Sequence, residues 1–234
     1  MDTTTRGQRD EHLVRVSVGH VVLEGDLAVP DDAQGIVLFA HGSGSSRHSP
    51  RNRVVARVLT EGGLATLLLD LLTPEEEAID RHTAHLRFDI SLLAERLVTA
   101  TRWLRQQPTT HTLRIGYFGA STGGGAALVA AAMLPEVVGA VVSRGGRPDL
   151  AGAALASVRA PTLLIVGGND APVITLNRHA FAQLGGEKQV EIVPGATHLF
   201  EEPGTLEAVA QLARQWFLQY LLPTQMDTTR QDTA

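Results

Sequence analysis

Leu113 to Leu134 reads LRIGYFGASTGGGAALVAAAML. An apolar run with β-branched and aromatic residues comes first, then a Gly-rich corner carrying Ser121, then a stretch of small helix formers. Gly119-Ala120-Ser121-Thr122-Gly123 fits the pattern G-x-S-x-G, in which a serine sits on a strained strand-to-helix turn with its Oγ exposed. Glycines two positions either side of the serine suit such a turn, because a Cβ there would collide with neighbouring backbone. The following helix aims its free N–H groups and partial positive charge at the same corner. The pentapeptide alone also fits a Gly-rich strand-to-helix turn whose serine merely caps the helix, so its surroundings must decide.

Outward from this stretch, the chain alternates strand and helix signals. Toward the N-terminus, HLVRVSV (12–18) and VVLEGDLAV (21–29) flank Gly19-His20 and predict an antiparallel hairpin. GIVLFA (35–40) and LATLLL (64–69) are continuous apolar runs of the kind buried on both faces of a sheet. A helix is expected over 52–60 and a long amphipathic one over 84–107, with 71–83 as an irregular connection. Toward the C-terminus, strands are expected at 137–142, 162–166 and 189–193, and helices at 149–157, 175–184 and 205–221. A hairpin followed by strand–helix repeats predicts an α/β fold with a mainly parallel central sheet and helices on both faces. No linker divides the chain. The expected organisation is one domain over 11–222, with disordered ends at 1–10 and 223–234.

Composition narrows the chemistry. The chain has 234 residues, a formal net charge of −5 and no cysteine, which excludes disulfides, zinc–thiolate sites and a cysteine nucleophile. With no basic run, no nucleic-acid partner is expected, and no apolar run approaches the length of a membrane span. The polar first residues lack a signal peptide's apolar core. A cytoplasmic protein, monomer or homodimer, is the expectation.

A serine hydroxyl is a weak nucleophile until a base takes its proton, and that base needs an acid to orient it. Asp170 follows the strand TLLIV, and His198 follows the strand QVEIV. Ser121, Asp170 and His198 thus each stand just past the C-terminal end of a predicted parallel strand, where open α/β sheets place their sites. Their chain order, Ser–Asp–His, is that of α/β-hydrolase triads. The oxyanion of such chemistry needs two N–H donors: the backbone of Thr122, and that of Ser43 in the loop after the third strand, with Gly42 the second choice. His41 is expected to anchor that loop by hydrogen bonds. Arg47 and Arg144 border these loops; either binds a substrate carboxylate or serves a structural pair, as does Arg147. His82, His85 and Asp89 share a stretch that is read as a solvated helix start rather than a metal site.

His41-Gly42-Ser43-Gly44-Ser45-Ser46, the G-x-S-x-G corner, Asn169-Asp170-Ala171-Pro172-Val173 and Gly195-Ala196-Thr197-His198-Leu199-Phe200 together resemble the α/β-hydrolase superfamily. Within it they look most like the dienelactone hydrolase-like group of small, capless hydrolases and esterases, over roughly residues 12–221. Dienelactone hydrolases proper carry cysteine in the elbow, where this chain has Ser121. The resemblance therefore implies a serine carboxylesterase for small to medium esters, with a lactonase, thioesterase or acyltransferase using the same triad as the alternative. It implies neither metal nor organic cofactor. Residues 143–161, where this fold commonly inserts a cap, leave room for one short helix. A binding protein that keeps only the shell of a hydrolase is the rival from another class.

Overall fold

A computed structural model describes residues 11–222; the expected disordered ends at 1–10 and 223–234 lie outside the described residues. Eight strands form one sheet in the order β1-β2-β4-β3-β5-β6-β7-β8. β1 (His12–Val18) and β2 (Val21–Ala28) make the antiparallel hairpin, with Val18 opposite Val21. β2 also pairs antiparallel with β4 (Ala65–Leu69). All other pairings, through β3 (Gly35–Ala40), β5 (Arg114–Ala120), β6 (Val138–Arg144), β7 (Thr162–Gly167) and β8 (Lys188–Val193), are parallel.

Both faces are covered, which is why β3 and β7 are buried from end to end and read as unbroken apolar runs. On one face, α1 (Pro50–Glu61) and α6 (Thr205–Leu221) bring Val55, Leu59, Val209 and Phe217 against Phe39 and Phe118. On the other, α3 (Ile90–Leu104), α4 (Thr122–Met133) and α5 (Ala171–Gln183) supply Leu93, Leu97, Ala127 and Ala180 to a second core with Leu38, Tyr117 and Leu164. α4 is buried along almost its whole length, and only glycine and alanine let it lie so close to the sheet.

The chain leaves β3 toward β4 on one side and resumes at β5 on the other. This reversal opens a crevice beyond the C-terminal ends of β3 and β5, the place where open α/β sheets hold ligands.

Two expectations about the elements are corrected. Residues 71–83 are not irregular throughout: α2 (Pro74–Thr83) lies there, with Thr73 and Glu76 forming a capping box and Pro74 in the first turn. The helix expected from residue 84 begins instead at Ile90. Ala84 ends α2 in a left-handed conformation (φ 51°), a single 3₁₀ turn covers Leu86–Phe88, and the Asp89 side chain caps α3 by accepting from Leu92 N–H. Between β6 and β7 there is only a 3₁₀ stretch, Pro148–Ser157, broken at Gly152, so no cap is inserted there.

Candidate active site

Ser121 joins β5 to α4 at φ 51° and ψ −122°, a conformation that costs a non-glycine residue on the order of 1–3 kcal/mol and is held only where the surroundings impose it. The surroundings are tight. A Cβ on Gly119 would lie 2.5 Å from the Gly123 carbonyl oxygen, and one on Gly123 would overlap the Ala40 carbonyl. Backbone bonds tie the corner to the loop after β6: Ser121 N–H donates to Arg144 O at 3.3 Å, and Arg147 N–H donates to Ser121 O at 3.0 Å.

Asp170 stands at the N-terminus of α5, past the end of β7, and His198 in the loop after β8. Their side chains meet, with His198 Nδ1 2.7 Å from Asp170 Oδ2. A carboxylate oxygen accepts, so the contact is one in which Nδ1–H donates to Asp170 and Nε2 is left free of it. The two loops are laced together. Gly168 N–H donates to Val193 O at 2.8 Å, Asn169 N–H to Ala196 O at 2.9 Å, and the Asn169 side-chain amide to Gly195 O at 2.9 Å. The Glu202 carboxylate accepts Thr197 N–H at 3.0 Å. Asn169 and Glu202 were not singled out in the sequence; Asn169 precedes Asp170 directly, and that adjacency is the one signal available.

The loop after β3 crosses the elbow closely enough that a Cβ on Gly42 would lie 3.1 Å from Ser121 Cβ. His41 anchors it. Its Nδ1 donates to Gly42 O at 2.9 Å, and its Nε2 accepts Leu71 N–H at 3.0 Å. Burial holds His41 below the ordinary imidazole range, against the opposing pull of the Gly42 carbonyl and the Asp70 charge. Ser43 N–H, expected to face an oxyanion, donates at 2.9 Å to the Thr122 hydroxyl.

A cleft of about 360 Å³ opens beside this loop, walled by Gly42, Ser43, Thr122, Leu71, Leu93 and Glu77. Glu77, on α2, is pushed above the ordinary carboxylate range by burial and then by the charge of Asp70. Asp80 and Arg87 close one side of the cleft, with Arg87 Nε donating to the Asp80 carboxylate at 2.5 Å.

The basic candidates are engaged elsewhere. Arg47, open in the sequence between a substrate carboxylate and a structural pair, bonds the carboxylates of Asp70 and Glu24 and lies 3.3 Å from that of Asp26, which fastens the loop after β3 to β2 and to the end of β4. Arg147 makes a two-pronged pair with Asp149 at 2.8 and 2.7 Å. Arg144 is 5% exposed, donates to Asn52 Oδ1 at 3.3 Å and lies over the Phe200 ring; burial pulls it down to about 10. Arg47 and Arg144 do not line the cleft, and neither do Ser121, Asp170 and His198; the cleft reaches the corner only through Gly42, Ser43 and Thr122. Among the described residues no cluster of three or more metal-ligating side chains occurs, and His82, His85 and Asp89 form none. Among the described residues no helix is long and apolar enough to cross a membrane.

Comparisons with known proteins accord with this fold. The family model described as the dienelactone hydrolase family matches residues 23–221. The crystal structure of a dienelactone hydrolase from Anabaena variabilis is 67% identical, covers 92% of this chain and all of its own, and superposes with a TM-score of 0.90. Est1E from Butyrivibrio proteoclasticus shares the fold at 15% identity, with a TM-score of 0.74 over 88% of this chain and 98% of its own. Two Mycobacterium tuberculosis proteins named "Putative phosphoribosyl transferase" are 63% identical over 213 residues, which is 91% of this chain and 47% of theirs. The chain thus spans about half the length of these curated relatives. It belongs to the dienelactone hydrolase family.

Proposed function

We propose that the protein is a serine carboxylesterase acting on small to medium carboxylic esters. The observation that carries the reading is the Asp170–His198 pair at 2.7 Å on the same C-terminal edge of the parallel strands as Ser121, which is held at a strained positive φ. Ser121 Oγ attacks the ester carbonyl carbon while its proton passes to His198 Nε2, and the carbonyl electron pair moves onto oxygen as the oxyanion. Collapse of that intermediate expels the alcohol, which leaves with the proton from His198. Water then repeats the sequence on the acyl-enzyme and releases the acid. Asp170 stays ionised throughout and stabilises the imidazolium.

The same steps open a cyclic ester, and the 67% identical dienelactone hydrolase favours a lactone as the second reading. Thioester cleavage and acyl transfer use the same triad. The transferase name of the Mycobacterium relatives belongs to proteins of which this chain spans 47%, and the strained serine with its His–Asp pair supports acyl chemistry instead.

Ser121→Ala is expected to fold normally, by circular dichroism and thermal midpoint, and to lose roughly 10⁴-fold or more of kcat on short-chain p-nitrophenyl esters. Turnover at the wild-type rate by the folded variant would overturn the assignment. A parallel comparison of linear esters with enol lactones decides between the two readings.

A further inference from the structure

Threonines inside a helix ordinarily turn the hydroxyl back onto the carbonyl four residues earlier. Thr60, Thr83, Thr99, Thr101 and Thr175 all do so here, donating to the carbonyls of Ala56, Ile79, Glu95, Leu97 and Ala171. Thr205, which opens α6, donates to Glu202 O at 2.7 Å. Thr122, which opens α4, breaks the pattern. Four residues before it stands Phe118, inside β5, and the sharp turn at Ser121 takes that carbonyl out of the helical path.

The Thr122 oxygen instead accepts Ser43 N–H at 2.9 Å, and among the described residues its own proton meets no acceptor. The residue is 3% exposed and lines the cleft beside Gly42 and Ser43. Buried hydroxyls rarely leave a proton unmatched, and where one does a functional cause is worth seeking. The cleft wall that Thr122 shares with Gly42 adjoins Ser121, since a Cβ on Gly42 would lie 3.1 Å from Ser121 Cβ.

We propose that the Thr122 hydroxyl is itself a donor to the oxyanion, so that Thr122 contributes both backbone N–H and side-chain O–H. The inference rests on the ester reading above. It gives Ser43 a different part from the one expected of it: its amide holds and polarises the Thr122 oxygen from behind rather than touching the substrate. As Ser121 Oγ bonds to the carbonyl carbon and the electron pair shifts to oxygen, the Thr122 O–H shortens its bond to that oxygen and keeps its proton. Ser43 N–H offsets the added negative charge on Thr122 Oγ1, as bonds in a chain strengthen one another. Such a donor is aligned before the substrate arrives, which is what makes oxyanion stabilisation effective.

The test compares Thr122→Val, which keeps the shape and removes the hydroxyl, with Thr122→Ser, which keeps the hydroxyl. Both are checked for folding by circular dichroism, and pre-steady-state kinetics on a p-nitrophenyl ester separate acylation from binding. Thr122→Val is expected to lose roughly 10²-fold in the acylation rate with KM little changed, and Thr122→Ser to recover most of the wild-type rate. A Thr122→Val variant at or above the wild-type rate would show the hydroxyl to be only a plug on the Ser43 amide and overturn the proposal. So would a Thr122→Ser variant as slow as Thr122→Val. The wild-type burst is the control on the underlying reading. Without a burst both the ester reading and the role of Thr122 fall, whereas a wild-type burst with an unimpaired Thr122→Val overturns only the latter.

Discussion

At the scale of single residues, His41 shows how a polar group is bound into this fold. One ring nitrogen donates and the other accepts, so only the neutral imidazole satisfies both bonds. Its folded pKa lies below the ordinary imidazole value of 6.5. The unfolded chain therefore binds the extra proton first as pH falls. His41 contributes its stability in full above about pH 6.5 and loses it as acid titrates the unfolded and then the folded form. Urea unfolding at pH 7.5 and pH 5.0 tests this: His41→Gln is expected to be less stable than wild type at pH 7.5, with the gap narrowing at pH 5.0. A gap that stays constant would show that His41 does not titrate between the two states. The positions of Ser121, Asp170 and His198 in the fold were legible in the sequence because each stands just past a strand signal. The role of Arg47 was not, because its three carboxylates lie in β2 and just past β4, and nothing local in Arg47-His48-Ser49 announces them.

At the scale of elements, α2 is the one that sequence periodicity missed, and the cause is physical. Of its ten residues only Asp80 is buried, so it has no apolar stripe to recur every 3.6 positions. Its signature was instead the capping box from Thr73 to Glu76, with Pro74 between them. What holds this polar helix against the fold is Arg96 of α3, which grips both Glu76 oxygens at 2.7 and 2.5 Å and also donates to Leu71 O. Arg96 is 3% exposed and pulls Glu76 below the ordinary carboxylate range. Removing one partner of a buried pair leaves the other's charge uncompensated. Arg96→Met is therefore expected to destabilise the protein by about 3 kcal/mol in urea unfolding. Because α2 walls the cleft, it is also expected to raise KM for esters more than it lowers kcat. An unchanged unfolding midpoint would contradict the structural role given to this pair. The start of α3 was misplaced for a related reason: Leu86 packs against the core as Ile90 does, so the apolar spacing runs across a backbone break that only Ala84 and the Asp89 cap reveal.

At the scale of the whole molecule, the sheet order brings the separate signals together. Reversal between β3 and β5 sets the loop after β3 beside the Ser121 corner, while β7 and β8 deliver Asp170 and His198 from the same edge. The strand–helix alternation made this arrangement legible, since parallel strands place every C-terminal end on one side. The cleft was not, because its walls come from residues 41–45, 71–93 and 122, segments joined only by the fold. On the proposed function these parts make an acyl-transfer centre on Ser121. Its most direct test is intact-mass and peptide mass spectrometry after treatment with an alkyl fluorophosphonate. One adduct per chain is expected, on Ser121, formed in step with loss of esterase activity and absent from folded Ser121→Ala. Folded wild-type protein that takes up no label, or takes it up at another residue, would overturn the assignment of Ser121 as nucleophile.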